Sequence, residues 1–131
     1  MKTNQKVAMA VLIGMLIGVG GAKTILAQQE KPAPGYVISE VDAMLDMTAL
    51  QKYAKQVPET LAPFNHHFIV RGAEAQALEG EPPKGIVVIA FDSVAKAREW
   101  YDSPAYEAIR PLRQSSTKGR MFIVEGVAGT Q

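Results

Sequence analysis

The chain has 131 residues, with 14 basic and 13 acidic side chains, a net charge of +1 and no cysteine. That length holds one domain once a targeting segment is subtracted. The missing cysteine excludes disulfides, thiolate metal sites, cysteine nucleophiles and a lipid anchor at a cleavage-site cysteine.

Three of the basic residues, Lys2, Lys6 and Lys23, fall within the first 27 positions, which hold no acid. The remainder carries 11 basic against 13 acidic side chains, a net charge of −2. A mildly acidic body lacks the clustered basic face that nucleic acid requires. Met1 to Lys6 is a short basic segment, Val7 to Val19 an apolar run, and Gly20-Gly21-Ala22 breaks it ahead of a polar Gln28-Gln29-Glu30. This is the order of a secretory signal peptide. The run is shorter and richer in glycine than the roughly 20 apolar residues of a membrane span. Cleavage is expected after Ala27, or after Ala22 as second choice, leaving a periplasmic or secreted protein with no membrane anchor. Residues 1–27 are then the leader, 28–34 a proline-bearing linker, 35–126 the domain and 127–131 a tail.

Tyr36 to Val41 reads as a first strand, and Asp42 to Asp46 as a turn in which Asp46 caps a helix. Leu50, Tyr53, Ala54, Val57 and Leu61 fall on one stripe of that helix, which Pro58 should kink and Pro63 should end. His67 to Arg71 reads as a second strand stopped by Gly72, with Ala75 to Leu78 a candidate extra strand. After the loop from Gly80 to Gly85, Ile86 to Phe91 is the strongest strand in the chain, dense in β-branched residues. Asp92 or Ser93 caps a helix with its stripe on Val94, Ala97, Trp100 and Tyr101. Ser103-Pro104 restarts a helix, with proline at the first position, where a missing N–H costs nothing. Its stripe is read as Ala105, Ala108, Ile109 and Leu112. Met121 to Val124 is the last strand.

The order β-α-β-β-α-β predicts an α+β, ferredoxin-like fold with both crossover helices on one face of a four-stranded antiparallel sheet. A sheet with one wet face should alternate apolar and polar residues. Here Val87, Ile89 and Phe91 point one way and Ile86, Val88 and Ala90 the other, so both faces are apolar. Met121 with Ile123 and Phe122 with Val124 repeat the pattern. One chain has no second helical layer, so a homodimer packed sheet to sheet is expected.

Several stretches also resemble the DUF1330 family, a small domain of unknown function. They are Gly35-Tyr36, Tyr53, Phe64 with Phe68 to Gly72, Leu78-Glu79-Gly80, Val87 to Phe91, Ala97 to Tyr106, and Ile123 to Gly126. The block from Trp100 to Tyr106 is the most specific. The resemblance implies membership of the dimeric α/β-barrel superfamily, with two ferredoxin-like subunits packed sheet to sheet. Asn65-His66-His67 departs from the usual pattern, and the resemblance implies no activity.

The candidate functional residues are His67, Arg71, Trp100 and Tyr106. Neighbouring strand residues face opposite sides, so His66 and His67 are not expected to share a metal ion, and no metal or cofactor is expected. With Phe68 and Val70 facing the helices, His67 and Arg71 would face the interior between the two sheets. There Arg71 needs a negative partner, either a ligand carboxylate or one of Glu40, Glu79 and Glu125. Glu40 and Glu125, on neighbouring strands, are a candidate carboxylate pair or rim charges. Trp100, Tyr101 and Tyr106 are core aromatics or one wall of an apolar pocket. Three functions stay open on the residues alone. The first is binding of a small organic ligand, acids included, inside the dimer barrel. The second is cofactor-independent monooxygenase or isomerase chemistry with His67 as base. The third is a ligand-free structural or stress-related dimer.

Overall fold

A computed structural model describes residues 31–129, and the leader expected over residues 1–27 lies outside them. The elements run β1 (Gly35–Met44), α1 (Met47–Leu61), β2 (His66–Ala73), β3 (Gly85–Phe91), α2 (Val94–Asp102), α3 (Pro104–Ser116) and β4 (Thr117–Glu125). The sheet order is β2-β3-β1-β4, and every neighbouring pair is antiparallel. Two interleaved βαβ units follow from that order, which is the ferredoxin-like arrangement expected from the sequence.

The helix starts are set by local chemistry. The Asp46 side chain accepts from Ala49 N at 3.0 Å. Ser93, rather than Asp92, caps α2 by accepting from Lys96 N at 3.1 Å. Ser103 caps α3 by accepting from Tyr106 N at 3.3 Å, with Pro104 in the first turn. Each cap satisfies an N–H that the first turn of a helix leaves without an internal partner. Helix α1 runs through Pro58 and stops at Leu61, two residues before Pro63.

Residues of all three helices meet one face of the sheet. Val57 and Leu61 from α1, Ala97 and Trp100 from α2, and Tyr106 and Ile109 from α3 pack with Val37, Ile89 and Phe91. Val87, Met121 and Ile123 join from the same face, half-buried. The buried stripe of α3 is Tyr106, Ile109 and Ser116, while Ala105 and Ala108, which the sequence assigned to it, are exposed. Tyr106 buries far more apolar area than either alanine, so it sets the helix rotation.

Three strand expectations are corrected. Strands β1 and β4 are longer than read, because Asp42 forms a bulge between Val41 and Ala43 and pairing resumes beyond it to Met44 and Thr117. Gly72, with φ of 69°, does not stop β2; it sits in a second register shift and the strand continues to Ala73. Ala75 to Leu78 forms no strand.

The opposite face carries three rows set by the register. Tyr36 lies between Ala90 and Val124, Ile38 between Val88 and Phe122, and Glu40 between Ile86 and Arg120. Phe122 and Val124 remain 38% and 39% exposed. Both faces of the central strands are therefore apolar, as the alternation indicated. Arg120 closes one end of this face through an Nε–Oε2 bond of 3.0 Å to Glu40. That bond, with Asp42 close by, raises the Arg120 pKa.

Candidate functional site

The face occupied by Arg71 differs from the sequence expectation. Phe68 pairs with Ile89, but Val70 pairs with Val88 and Arg71 with Val87, so Ile69 is an extra residue in the ladder. One extra residue inverts every side chain after it. Val70 therefore turns to the open face and Arg71 to the helix side, where its guanidinium lies 4.4 Å from the Phe68 ring centroid. Arg71 lines a cavity of about 110 Å³ beneath α1, together with Tyr53, Val57, Phe68, Val87 and Ile89. Glu40 is held by Arg120 and is not the partner of Arg71. Nor do Glu40 and Glu125 pair as carboxylates, because Glu125 lies opposite Gly35 at the far end of β1.

His67 lies opposite Ala90 on the open face, whereas His66 lies opposite Phe91 on the helix face. The His66 Nδ1 is 2.7 Å from the Phe64 carbonyl oxygen. His67 and Arg71 are thus on opposite sides of the sheet and do not converge on one site. Among the described residues no group of three or more His, Asp or Glu side chains is placed to hold a metal ion. No helix among them is long and apolar enough to cross a membrane.

Trp100 and Tyr106 are brought together, with ring centroids 4.1 Å apart, and both are fully buried. Their polar atoms are bound inside the core. Trp100 Nε1 donates to Thr60 Oγ1 at 3.0 Å, and Thr60 donates in turn to the Val57 carbonyl at 2.7 Å. The Tyr106 hydroxyl sits 2.8 Å from that of Tyr53 and accepts from Arg113 Nε at 3.1 Å. Burial raises the Tyr53 pKa, and the neighbouring Tyr106 adds to the rise while Arg113 opposes it. These aromatics belong to the core that holds the helices to the sheet.

A cleft of about 390 Å³ opens between α2 and the edge strand β4, lined by Val37, Val94, Tyr101, Met121 and Ile123, with Phe122 at its edge and Arg98 as its one charged side chain. Val94, Arg98 and Tyr101 follow one another at helical spacings of four and three, a second stripe of α2 beside the buried Ala97–Trp100 stripe. The Tyr101 ring is fixed from behind. Arg110 of α3 donates Nη2 to the Tyr101 carbonyl at 2.6 Å and lays its guanidinium 4.2 Å from the Tyr101 ring centroid. That carbonyl is in the last turn of α2, where a helix leaves acceptors unpaired and favours a cation. The buried Arg110 Nε has no hydrogen-bond partner. The nearby Tyr101 face partly compensates it. Sequence reasoning passed over Arg98, because a charged helix residue ordinarily reads as solvated surface. The 94–98–101 spacing was the available signal.

Fold and register together define a ferredoxin-like α+β domain with a helix-side cleft and an apolar open sheet face. The chain belongs to the DUF1330 family, a domain of unknown function whose family model matches residues 34–127. No curated protein matches it. The structure is similar to that of a protein of unknown function from Rhodopseudomonas palustris, with a TM-score of 0.60 and 16% identity, covering 80% of this chain and 93% of that one. It is also similar to a hypothetical protein from Arabidopsis thaliana, with a TM-score of 0.52 and 12% identity, covering 79% and 95% of the two chains. A cofactor-independent oxygenase from Streptomyces nogalater follows at a TM-score of 0.48 and 7% identity, covering 70% and 91%. At these identities the likeness establishes the fold alone.

Proposed function

We propose that this protein is an exported homodimer, packed sheet to sheet, in which each subunit holds a small organic molecule in the α2–β4 cleft. The cleft carries the ligand reading. Its lining side chains are hydrophobic apart from Arg98, which stands at its wall with the Tyr101 ring, and its volume of about 390 Å³ lies within the range of small-molecule sites. The cleft sits on the helix side of the sheet, so the reading moves the ligand out of the space between the two sheets. Binding is favoured over acid–base catalysis because no His, Asp or Glu lines the cleft, which leaves the Tyr101 phenol as the one lining group of the kind that commonly moves protons.

Dimerisation is supported by the open face, where Ile38, Val88, Phe122 and Val124 form adjoining apolar rows. Covering them with the same face of a second copy removes apolar surface from water on both chains. Phe122 belongs to this face and also edges the cleft, so the two surfaces meet there. Export is supported by the basic, apolar, small-residue order of residues 1–27.

The test of the ligand reading is a fragment screen by amide chemical-shift mapping on the full-length protein. Shifts confined to residues 94–101 and 121–123 are the expected result. Hits that map elsewhere, or no hits at all, overturn it.

A further inference from the structure

We infer that the α2–β4 cleft takes an aromatic carboxylate, with Arg98 as the partner of the carboxylate group. This rests on the ligand reading of the cleft and names its chemical class.

The chain has five arginines, and four of them have protein partners. Arg71 lies over the Phe68 ring, Arg110 bonds the Tyr101 carbonyl, Arg113 bonds the Tyr106 hydroxyl, and Arg120 pairs with Glu40. Arg98 is the exception: among the described residues it makes no hydrogen bond, ion pair or ring contact, and it borders the cleft of about 390 Å³ between α2 and β4. The acids nearest to it in sequence do not compensate it. Glu99 is engaged by Lys96 at 3.0 Å, and Asp102, one turn on, forms no bond to it. A guanidinium keeps its charge at any physiological pH and offers two parallel N–H donors, the geometry a carboxylate accepts.

The rest of the lining selects what the carboxylate is attached to. The Tyr101 ring is held in place by Arg110, and Met121 and Ile123 come from β4. A fixed aromatic face and a thioether favour a flat, polarisable group over a branched aliphatic chain. No acidic side chain lines the cleft to repel an anion.

The experiment titrates 2-naphthoate, and 2-naphthamide as its uncharged isostere, into the full-length protein and into Arg98→Gln and Arg98→Lys. Calorimetry and amide shifts supply the readout. The expected result is that naphthoate binds tenfold or more tightly than naphthamide, with shifts at Val94, Arg98, Tyr101 and Ile123. Arg98→Gln should remove that preference while leaving naphthamide affinity and melting temperature unchanged, and Arg98→Lys should restore part of it. Equal affinity for the two compounds in the parent protein, or undiminished naphthoate affinity in Arg98→Gln, overturns the carboxylate assignment and leaves cleft binding standing. Failure of both compounds to shift any cleft residue overturns the cleft reading with it.

Discussion

The hydroxyls of Tyr53 in α1 and Tyr106 in α3 lie 2.8 Å apart, although the residues are 53 positions apart in the chain. Arg113 donates to the Tyr106 oxygen, leaving the Tyr106 proton free to point to Tyr53 or to Met121 Sδ at 3.7 Å. This small polar knot joins the two helices over the apolar sheet and rests on Met121, which also lines the cleft.

Its pH dependence follows from burial. Tyr53 ionises far above the ordinary tyrosine value of 10.0, because burial and then Tyr106 disfavour the anion. Above about pH 10 an unfolded tyrosine loses its proton while the folded one keeps it, so the unfolded state binds fewer protons and stability falls as pH rises. The contribution is intact below that pH. Tyr53→Phe should cost about 1 kcal/mol at neutral pH through the lost hydrogen bond. It should also make the alkaline decline shallower. Urea unfolding across the alkaline range checks this, and an unchanged decline would place the titration elsewhere.

Thr60→Val keeps the shape of the core but leaves Trp100 Nε1 without the acceptor it has at 3.0 Å. An orphaned buried donor costs about 1–3 kcal/mol. Trp100 is the only tryptophan, so its emission reports the change directly. The expected outcome is a lower urea midpoint with an unchanged slope and a shifted native-state emission maximum.

Gly119 lies opposite Val41 beside the β1 bulge, and a Cβ there would come within 2.0 Å of the Glu40 carbonyl oxygen. Gly119→Ala should therefore push the start of β4 away from β1 and cost about 1–3 kcal/mol, as overpacking does. Thermal melting measures the loss. Amide shifts along residues 117–121 and 40–44 locate it.

Val88 sits in the middle of the open face, beside Ile38. If that face is covered by a second copy, Val88→Asp buries a charge where apolar contact is worth about 1.5–3 kcal/mol per residue. Light scattering should then report a monomer, or unfolded protein, where the parent is a dimer. A folded, undiminished dimer would move the interface to another surface.

Mass spectrometry of the protein recovered from the cells that make it should show a chain starting at Gln28 or Lys23. An intact Met1 in the membrane fraction would refute export by a cleaved leader.

The helix starts were legible because they are local. Asp46, Ser93 and Ser103 each serve an N–H within three residues, and Pro104 follows its cap directly. The two-faced character of β3 was legible for a similar reason, since a strand's alternation is written in consecutive residues. The extra residue at Ile69 was not, because isoleucine suits a ladder and a bulge equally and only pairing with β3 reveals which it occupies. That single position sent Arg71 to the opposite side from His67 and separated two residues that had been read as one site. The rotation of α3 was not legible, because the Tyr106 hydroxyl finds its partners in Tyr53 of α1 and in Arg113 two turns on, and the stripe of Ala105, Ala108, Ile109 and Leu112 carries no sign of them.

The sequence by itself determined the order of elements, the apolar character of both sheet faces and the family, and it narrowed the cap of α2 to Asp92 or Ser93. These depend on composition and on spacings within one turn or one strand. Only the tertiary structure decided which face each β2 side chain takes, that Trp100 and Tyr106 are core, and that Arg98 and Tyr101 border a cleft. Strand parity is set by the hydrogen bonds of the neighbouring strand, and a cleft exists only where a helix and an edge strand separate in space.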